Sequence, residues 1–252
     1  MKQDRGNQII EMIKRQRVVK NAELMEMFGV SIETVRRDLE SLEKQGYLRR
    51  VYGGAVANVS LSSEPEYTSR SKANSSQKHS VAAAAAALVE PGDSVYLGVG
   101  TTVQLMTGYL RETADLTVFT NALRTAVELS EMPNCSVVLS GGKVRSKELT
   151  VSGFPAEDIL ANFNVDKAFV GIGGITENGV TDFHMDEAVL HRQMLKNAWQ
   201  AIVLADSTKI GSRAVVNVCP LEDIDILITD RDAPKQLVKM LEQAGVQVII
   251  AE

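Results

Sequence analysis

The sequence predicts an α/β protein in two parts, a small helical domain closed by a hairpin and a larger domain of alternating strands and helices. Three observations predict this. The opening stretch repeats apolar residues at helical spacing and ends in a strand-favouring run with a Gly-Gly turn. A Ser-rich stretch with few large apolar residues follows. Beyond it, near-continuous apolar runs alternate with amphipathic ones, the pattern of a largely parallel sheet covered on both faces.

The bulk composition agrees. A chain of 252 residues suits a small and a large domain, and 44% hydrophobic with 23% charged residues is ordinary for a well-cored protein. No apolar run approaches the ~20 residues of a membrane span, and "MKQDRGNQII" has no apolar signal core. A cytoplasmic protein with no membrane partner is expected. Cys135 and Cys219 lack metal-ligand spacing and read as buried thiols of a reducing compartment. The net charge of −5 is unevenly spread: residues 1–56 hold 11 Lys/Arg against 8 Asp/Glu, net +3, and the remainder 16 against 24, net −8. Local charge decides which surface approaches a polyanion, so the acidic total does not exclude DNA.

In the first part, Ile9, Ile10 and Ile13 mark one helix, and "RVV" a short extended stretch. Asn21 is expected to cap a second helix with Leu24, Met25 and Phe28 on its apolar face, ended by Gly29. Ser31 caps a third, whose stripe is Ile32, Val35, Leu39 and Leu42. That stripe leaves Glu33, Thr34, Arg37, Ser41 and Lys44 facing outward, with Arg36 and Asp38 on opposite flanks. Helix, Gly turn and capped helix make a helix-turn-helix, its third helix free to enter a major groove. Tyr47, Leu48, Val51, Tyr52 and Val56 around Gly53-Gly54 predict a hairpin wing carrying Arg49 and Arg50. Wings touch phosphate or the minor groove. Three-helix units with paired arginines also serve as protein-binding modules.

The motif resembles a known family. "LMEMFGVSIETVRRDLESLEKQGYLRRVYGGA" is similar to the DNA-binding signature of DeoR-type bacterial regulators. Its fixed positions are Val30, Ser31, Thr34, Val35, Arg36, Arg37, Asp38, Leu39, Leu42, Glu43, Gly46, Leu48, Arg49, Gly53 and Gly54. The resemblance implies that residues 1–57 form a winged helix-turn-helix domain. Its double-stranded operator DNA would be held by Ser31, Thr34, Arg36, Arg37, Ser41, Arg49 and Arg50.

Residues 58–76 read as a linker, and 77–252 as the second domain. "VAAAAAALV" predicts a helix packed closely through small side chains. Strands are expected at "SVYLG", "LTVFT", "SVVLS", "KAFVGI", "QAIVLA", "IDILIT" and "VQVII", and helices at "TVQLMTGYLRE", "ALRTAVELSE", "DEAVLHRQMLKNA" and "APKQLVKMLEQA". Ligands in such sheets bind beyond the strands' carboxyl ends. There "LGVGTTV" sets Gly98, Gly100, Thr101 and Thr102 at a helix N-terminus, an anion cradle without the Walker lysine, or simply turn chemistry. Other polar strand ends carry Thr120, Asn121, Gly141, Gly142, Lys143, Arg145, Gly173, Gly174, Asp206 and Lys209. Glycines, hydroxyls and cations together suit a small phosphorylated, hydroxyl-rich ligand.

In this order, these motifs resemble the C-terminal sensor domain of the same family, which is similar to ribose-5-phosphate isomerase. The resemblance implies a ribose-5-phosphate-isomerase-like α/β sensor, with Thr101 and Thr102 on the phosphate and Asn121, Asp206 and Lys209 along the sugar. It implies a repressor, less often an activator, of a sugar-catabolic operon, controlled by a phosphorylated sugar and assembled as a homo-oligomer, a dimer or tetramer. The rival is an isomerase fused to a DNA-binding domain. The isomerases keep Asp-Gly-Ala-Asp-Glu at one strand end, where this chain reads Gly171-Ile172-Gly173-Gly174-Ile175. Asp182, Asp186 and Glu187 lie nearby and are the candidates to compensate, since enediol chemistry needs poised carboxylates. His184 and His191 read as surface or packing residues. No enzyme activity, cofactor or metal is expected.

Overall fold

The computed structural model describes residues 2–16, 18–44, 47–57 and 64–252. Gly46 of the signature, the Lys44 side chain and residues 58–63 of the expected linker lie outside that description. The chain divides into two units, Met1–Ser63 and Glu64–Glu252.

The first unit runs α1 (Lys2–Gln16), β1 (Val18–Lys20), α2 (Asn21–Phe28), α3 (Ile32–Lys44), β2 (Leu48–Val51) and β3 (Gly54–Ala57). The apolar stripes meet in one core of Ile9, Ile13, Val19, Leu24, Val35, Leu39, Leu42, Leu48 and Ala55. Ile32, at the start of its stripe, is only half-buried. Gly29 turns out of α2 at φ 60°, the left-handed region that glycine enters without cost. Ser31 accepts the Thr34 N–H at 3.4 Å. Asn21 does not cap α2: the helix already begins with it, and its Oδ1 has no partner. Val18 and Val19 of the expected extended stretch lie in a third strand, giving the order β1-β3-β2, so the wing is anchored to the strand before α2.

The second unit opens with α4 (Tyr67–Lys72), α5 (Ser75–Ala86), β4 (Ser94–Leu97), α6 (Thr101–Tyr109), β5 (Leu116–Thr120), α7 (Leu123–Ser130) and β6 (Cys135–Leu139). It continues with β7 (Lys143–Arg145), β8 (Thr150–Ser152), α8 (Phe154–Leu160), β9 (Val165–Gly171), β10 (Gly174–Thr176) and β11 (Gly179–Asp182). It ends with α9 (Met185–Lys196), β12 (Ala198–Leu204), β13 (Val216–Cys219), β14 (Ile226–Asp230), α10 (Lys235–Gln243) and β15 (Gln247–Ala251). The seven apolar runs form one sheet in the order β15-β14-β12-β9-β4-β5-β6, with every pair parallel.

The inner strands β14, β12, β9, β4 and β5 are buried on both faces, which is why they carry apolar runs, while the edge strands β15 and β6 keep exposed residues. Tyr96, Ala168, Val170, Ala201 and Val203 face α8, α9 and α10. Val95, Leu97, Phe169, Ile202 and Leu204 face the alanine-rich α5 with α6 and α7. Alternate residues of one strand thus enter opposite cores. Two small sheets were not legible in the sequence, the hairpin β7-β8 and the antiparallel β10-β11-β13.

Of the expected linker, residues 64–76 fold into the second unit. At the end of α4, Lys78 Nζ donates to the Arg70 carbonyl and, at 2.8 Å, to that of Ala73. A cation from α5 thereby holds the C-terminal end of α4.

Candidate functional site

In the first unit Arg36 and Arg37 of α3 and Arg49 and Arg50 of β2 are exposed. Ser31 is exposed and Thr34 half-buried at the N-terminal turn of the helix, while Ser41 is half-buried in its C-terminal half. Two charges belong to the fold. Asp38 is buried and paired with Arg5 of α1 at 2.6 Å. Arg50, expected on the DNA, bonds Glu43 of α3 through its Nε and its backbone N–H, both at 2.7 Å. Those contacts hold the Glu43 carboxyl below its usual range, the backbone N–H contributing most. Arg50 therefore ties the wing to the helix, and among the described residues of α3 and the wing Arg36, Arg37 and Arg49 are the arginines left to present.

In the second unit a cleft opens at the carboxyl ends of β4, β9 and β12. Strand order reverses between β4 and β9, so the cleft lies at the switch point where open α/β sheets leave room for a ligand. Gly100, Thr101 and Thr102 form one wall. The two threonines open α6, whose first N–H groups lack intrahelical partners. Gly100 has φ 143° and passes so close that a Cβ would meet Gly171 Cα at 3.2 Å. Asp206 and Lys209, on the turn after β12, form the facing wall with Lys78.

Asp206 is buried and accepts the Thr208 N–H at 3.1 Å and the Asn74 amide at 3.3 Å, with Lys78 Nζ 4.0 Å away. Burial lowers the Lys78 and Lys209 amines from their ordinary value, and the Asp206 charge opposes the shift. Lys209 Nζ also lies 5.9 Å from the centroid of the Phe183 ring.

Some expected residues are elsewhere. Asn121 is fully buried in a structural bond, its Oδ1 accepting from Tyr96 Oη at 2.9 Å and its amide reaching the Val151 carbonyl at 3.3 Å. Gly141 and Gly142 lead into the β7-β8 hairpin, where a Cβ on Gly142 would fall 2.5 Å from the Ser152 carbonyl. Gly173 and Gly174 enter β10, where a Cβ on Gly174 would fall 2.2 Å from the Ser212 carbonyl. Close packing requires Gly142, Gly173 and Gly174, a φ of 72° favours Gly141, and none of the four lines the cleft. Arg145 stands behind the wall, bonding Glu187 at 3.1 Å and also Glu64.

Sequence reasoning missed Glu64, Arg70, Lys78 and Glu148 on the cleft wall. Glu64 and Arg70 sat in the Ser-rich stretch, and Lys78 just before the alanine run. Asp182 and Glu187 line the cleft, whereas Asp186 is exposed. His191 is fully buried behind it, accepting the Val99 N–H through Nε2 at 3.3 Å with Nδ1 3.5 Å from Asp182. It is a packing residue. Among the described residues no group of three His, Cys, Asp or Glu is arranged to hold a metal ion, and no helix is long and apolar enough to cross a membrane.

Comparison with known proteins agrees with this division. Residues 5–60 match the DeoR-like helix-turn-helix domain and residues 73–231 the DeoR C-terminal sensor domain. The chain is 35% identical to the HTH-type transcriptional regulator GolR of Listeria innocua, over 99% of this chain and 98% of that protein. It is 33% identical to the HTH-type transcriptional repressor GlcR of Bacillus subtilis, over 97% and 94%. It is 30% identical to the glycerol-3-phosphate regulon repressor of Escherichia coli, over 98% and 99%. Among solved structures it is similar to ribose 5-phosphate isomerase A of Methanocaldococcus jannaschii, with 21% identity and a TM-score of 0.40 over 55% of each chain. Matched in both domains and aligned end to end with its relatives, the chain belongs to the DeoR family of helix-turn-helix transcriptional regulators.

Proposed function

We propose that this regulator represses a sugar-catabolic operon and that a phosphorylated sugar controls its hold on the operator. The observation that carries the ligand class is the switch-point cleft. A helix N-terminus and the cations Arg70, Lys78 and Lys209 suit an anionic group, and the carboxylates of Asp182, Glu187 and Asp206 suit hydroxyls. The names of the relatives support the reading: two are repressors, one of them of the regulon of a phosphorylated polyol. On this reading the first unit binds DNA, the second senses the ligand, and the protein works in the cytoplasm. A two-fold operator would be met by a dimer or a higher homo-oligomer, which sedimentation would count.

A thermal-shift screen of phosphorylated sugars against their free forms identifies the ligand. Replacing Lys209 by Ala removes a charge-assisted contact, so affinity for the hit is expected to fall by ~1.5–3 kcal/mol. Operator binding without ligand stays at wild type, because Lys209 belongs to the second unit. The variant is a super-repressor in gel-shift titration. Release from the operator at the wild-type ligand concentration would remove Lys209 from the site.

On α3, Arg37→Ala is expected to weaken operator binding by ~1–3 kcal/mol if the guanidinium reads a base edge. A phosphate contact instead weakens all sequences alike and lowers the salt slope by about one unit. Anisotropy on a duplex selected from a random pool, and on the unselected pool, separates these across salt. Unchanged binding to both would show that Arg37 does not face DNA.

The isomerase reading has one observation in its favour, the presence of Asp182 and Glu187 at the cleft. Glu187 is already committed to Arg145 and, at 2.6 Å, to the Thr150 hydroxyl. Steady isomerisation of a bound sugar phosphate, above a boiled control, would establish that reading.

A further inference from the structure

Glu64 is the first residue of the second unit, and it falls between the two family matches, past residue 60 and before residue 73. Its carboxylate nevertheless reaches the cleft wall. Oε1 lies 2.8 Å from Arg70 Nη2, and Oε2 bonds Arg145 Nη2. Each arginine has a second carboxylate: Arg70 bonds Glu148, and Arg145 bonds both oxygens of Glu187 at 3.1 Å. Two guanidiniums thus serve three carboxylates, one more than they need.

The three are not held equally. Glu187 sits in the first turn of α9 and accepts from Thr150; Glu148 sits on the tight β7-β8 turn. Glu64 comes from residues 64–66, which belong to no helix or strand. Burial also pushes its carboxyl above the ordinary value, against the pull of both arginines. Of the three, it alone is carried ahead of the first helix of the second unit.

Arg70 itself lines the cleft beside Lys78 and Thr101. A phosphate brings more charge and more acceptor oxygens to a guanidinium than a carboxylate does, in the same planar fork. We propose that the Glu64 carboxylate is a built-in occupant of Arg70, exchanged for the anionic group of the ligand, and that this exchange loosens residues 64–66, where the second unit begins. The inference rests on the sensor reading and adds its route to the operator. A ligand shifts DNA affinity only through a state that it binds better, and the state with Glu64 released is such a state. While Glu64 stays bound, it lowers the apparent ligand affinity by the fraction of molecules in which it is released.

Glu64→Gln tests this in the full chain. The substitution keeps the size and removes the charge, and each arginine keeps its other carboxylate, so the fold is retained. The probes are inorganic phosphate and the phosphorylated-sugar panel, by calorimetry, with hydrogen exchange of residues 64–73. Expected is about 5-fold or more tighter binding in Glu64→Gln. Exchange of residues 64–73 should rise on phosphate addition in the wild type, and already be high in the variant without it. Equal affinities with unchanged exchange would overturn the exchange of Glu64 and leave the sensor reading standing. Absence of binding in both proteins, across every probe, would overturn the sensor reading and this inference with it.

Discussion

Replacing Leu39 with Ala is expected to abolish operator binding while the second unit stays folded. Leu39 is 1% exposed, at the centre of the nine-residue core that joins α1, α2, α3 and the wing. Truncation of a buried leucine costs ~2–5 kcal/mol, the lost burial plus the cavity left behind. A unit of this size has roughly 3–9 kcal/mol in total, at ~0.05–0.15 kcal/mol per residue. Most of its stability goes, and with it the geometry that holds Arg36 and Arg37 together. Urea unfolding followed by circular dichroism should show the early transition moved or lost. Hydrogen exchange of α5 should stay at the wild-type rate, because that helix belongs to the other unit. An unchanged transition with full operator affinity would mean that Leu39 does not carry the core.

The second large effect is expected at Lys78. Its side chain is buried, and its ammonium joins the Arg70 and Ala73 carbonyls to the neighbourhood of Asp206. Lys78→Met keeps the length and apolar stem but leaves two carbonyls and a buried carboxylate short of a cation. Removing one partner of a buried pair costs ~3–5 kcal/mol, more than the pair itself contributes. The end of α4 then loses its anchor, and Arg70 moves with it. Expected are a lower unfolding midpoint for the second unit and loss of ligand binding, with DNA binding by the first unit unchanged at equal folded concentration. A variant as stable as wild type that still binds the phosphorylated hit would show that Lys78 is a bystander.

The recognition helix was legible because its signals are local. Val35, Leu39 and Leu42 repeat at the helical period, Ser31 caps, and Gly29 turns, all within a few residues. The inner parallel strands were legible for a related reason: burial on both faces writes an apolar run. Strands of three or four residues such as Lys143–Arg145 and Val216–Cys219 are too short to show a period. Arg70 and Lys78 were illegible because their surroundings in sequence are Ser and Ala, while their partners Glu148 and Asp206 lie far along the chain.

The sequence by itself determined the parallel strands, most of the helices, the helix-turn-helix spacing and the polar character of the strand ends. Asn121 marks where that ends. It is a polar residue at a strand end, as expected, yet its amide turns inward to Tyr96 and never meets the cleft. Which strand ends converge depends on sheet order, and β4, β9 and β12 become neighbours across more than a hundred residues of chain. Periodicity reports only which face of an element is buried. Which charges then share a cleft is decided by the packing of whole elements, because Coulomb and hydrogen-bond energies depend on distance in space and take no account of distance along the chain.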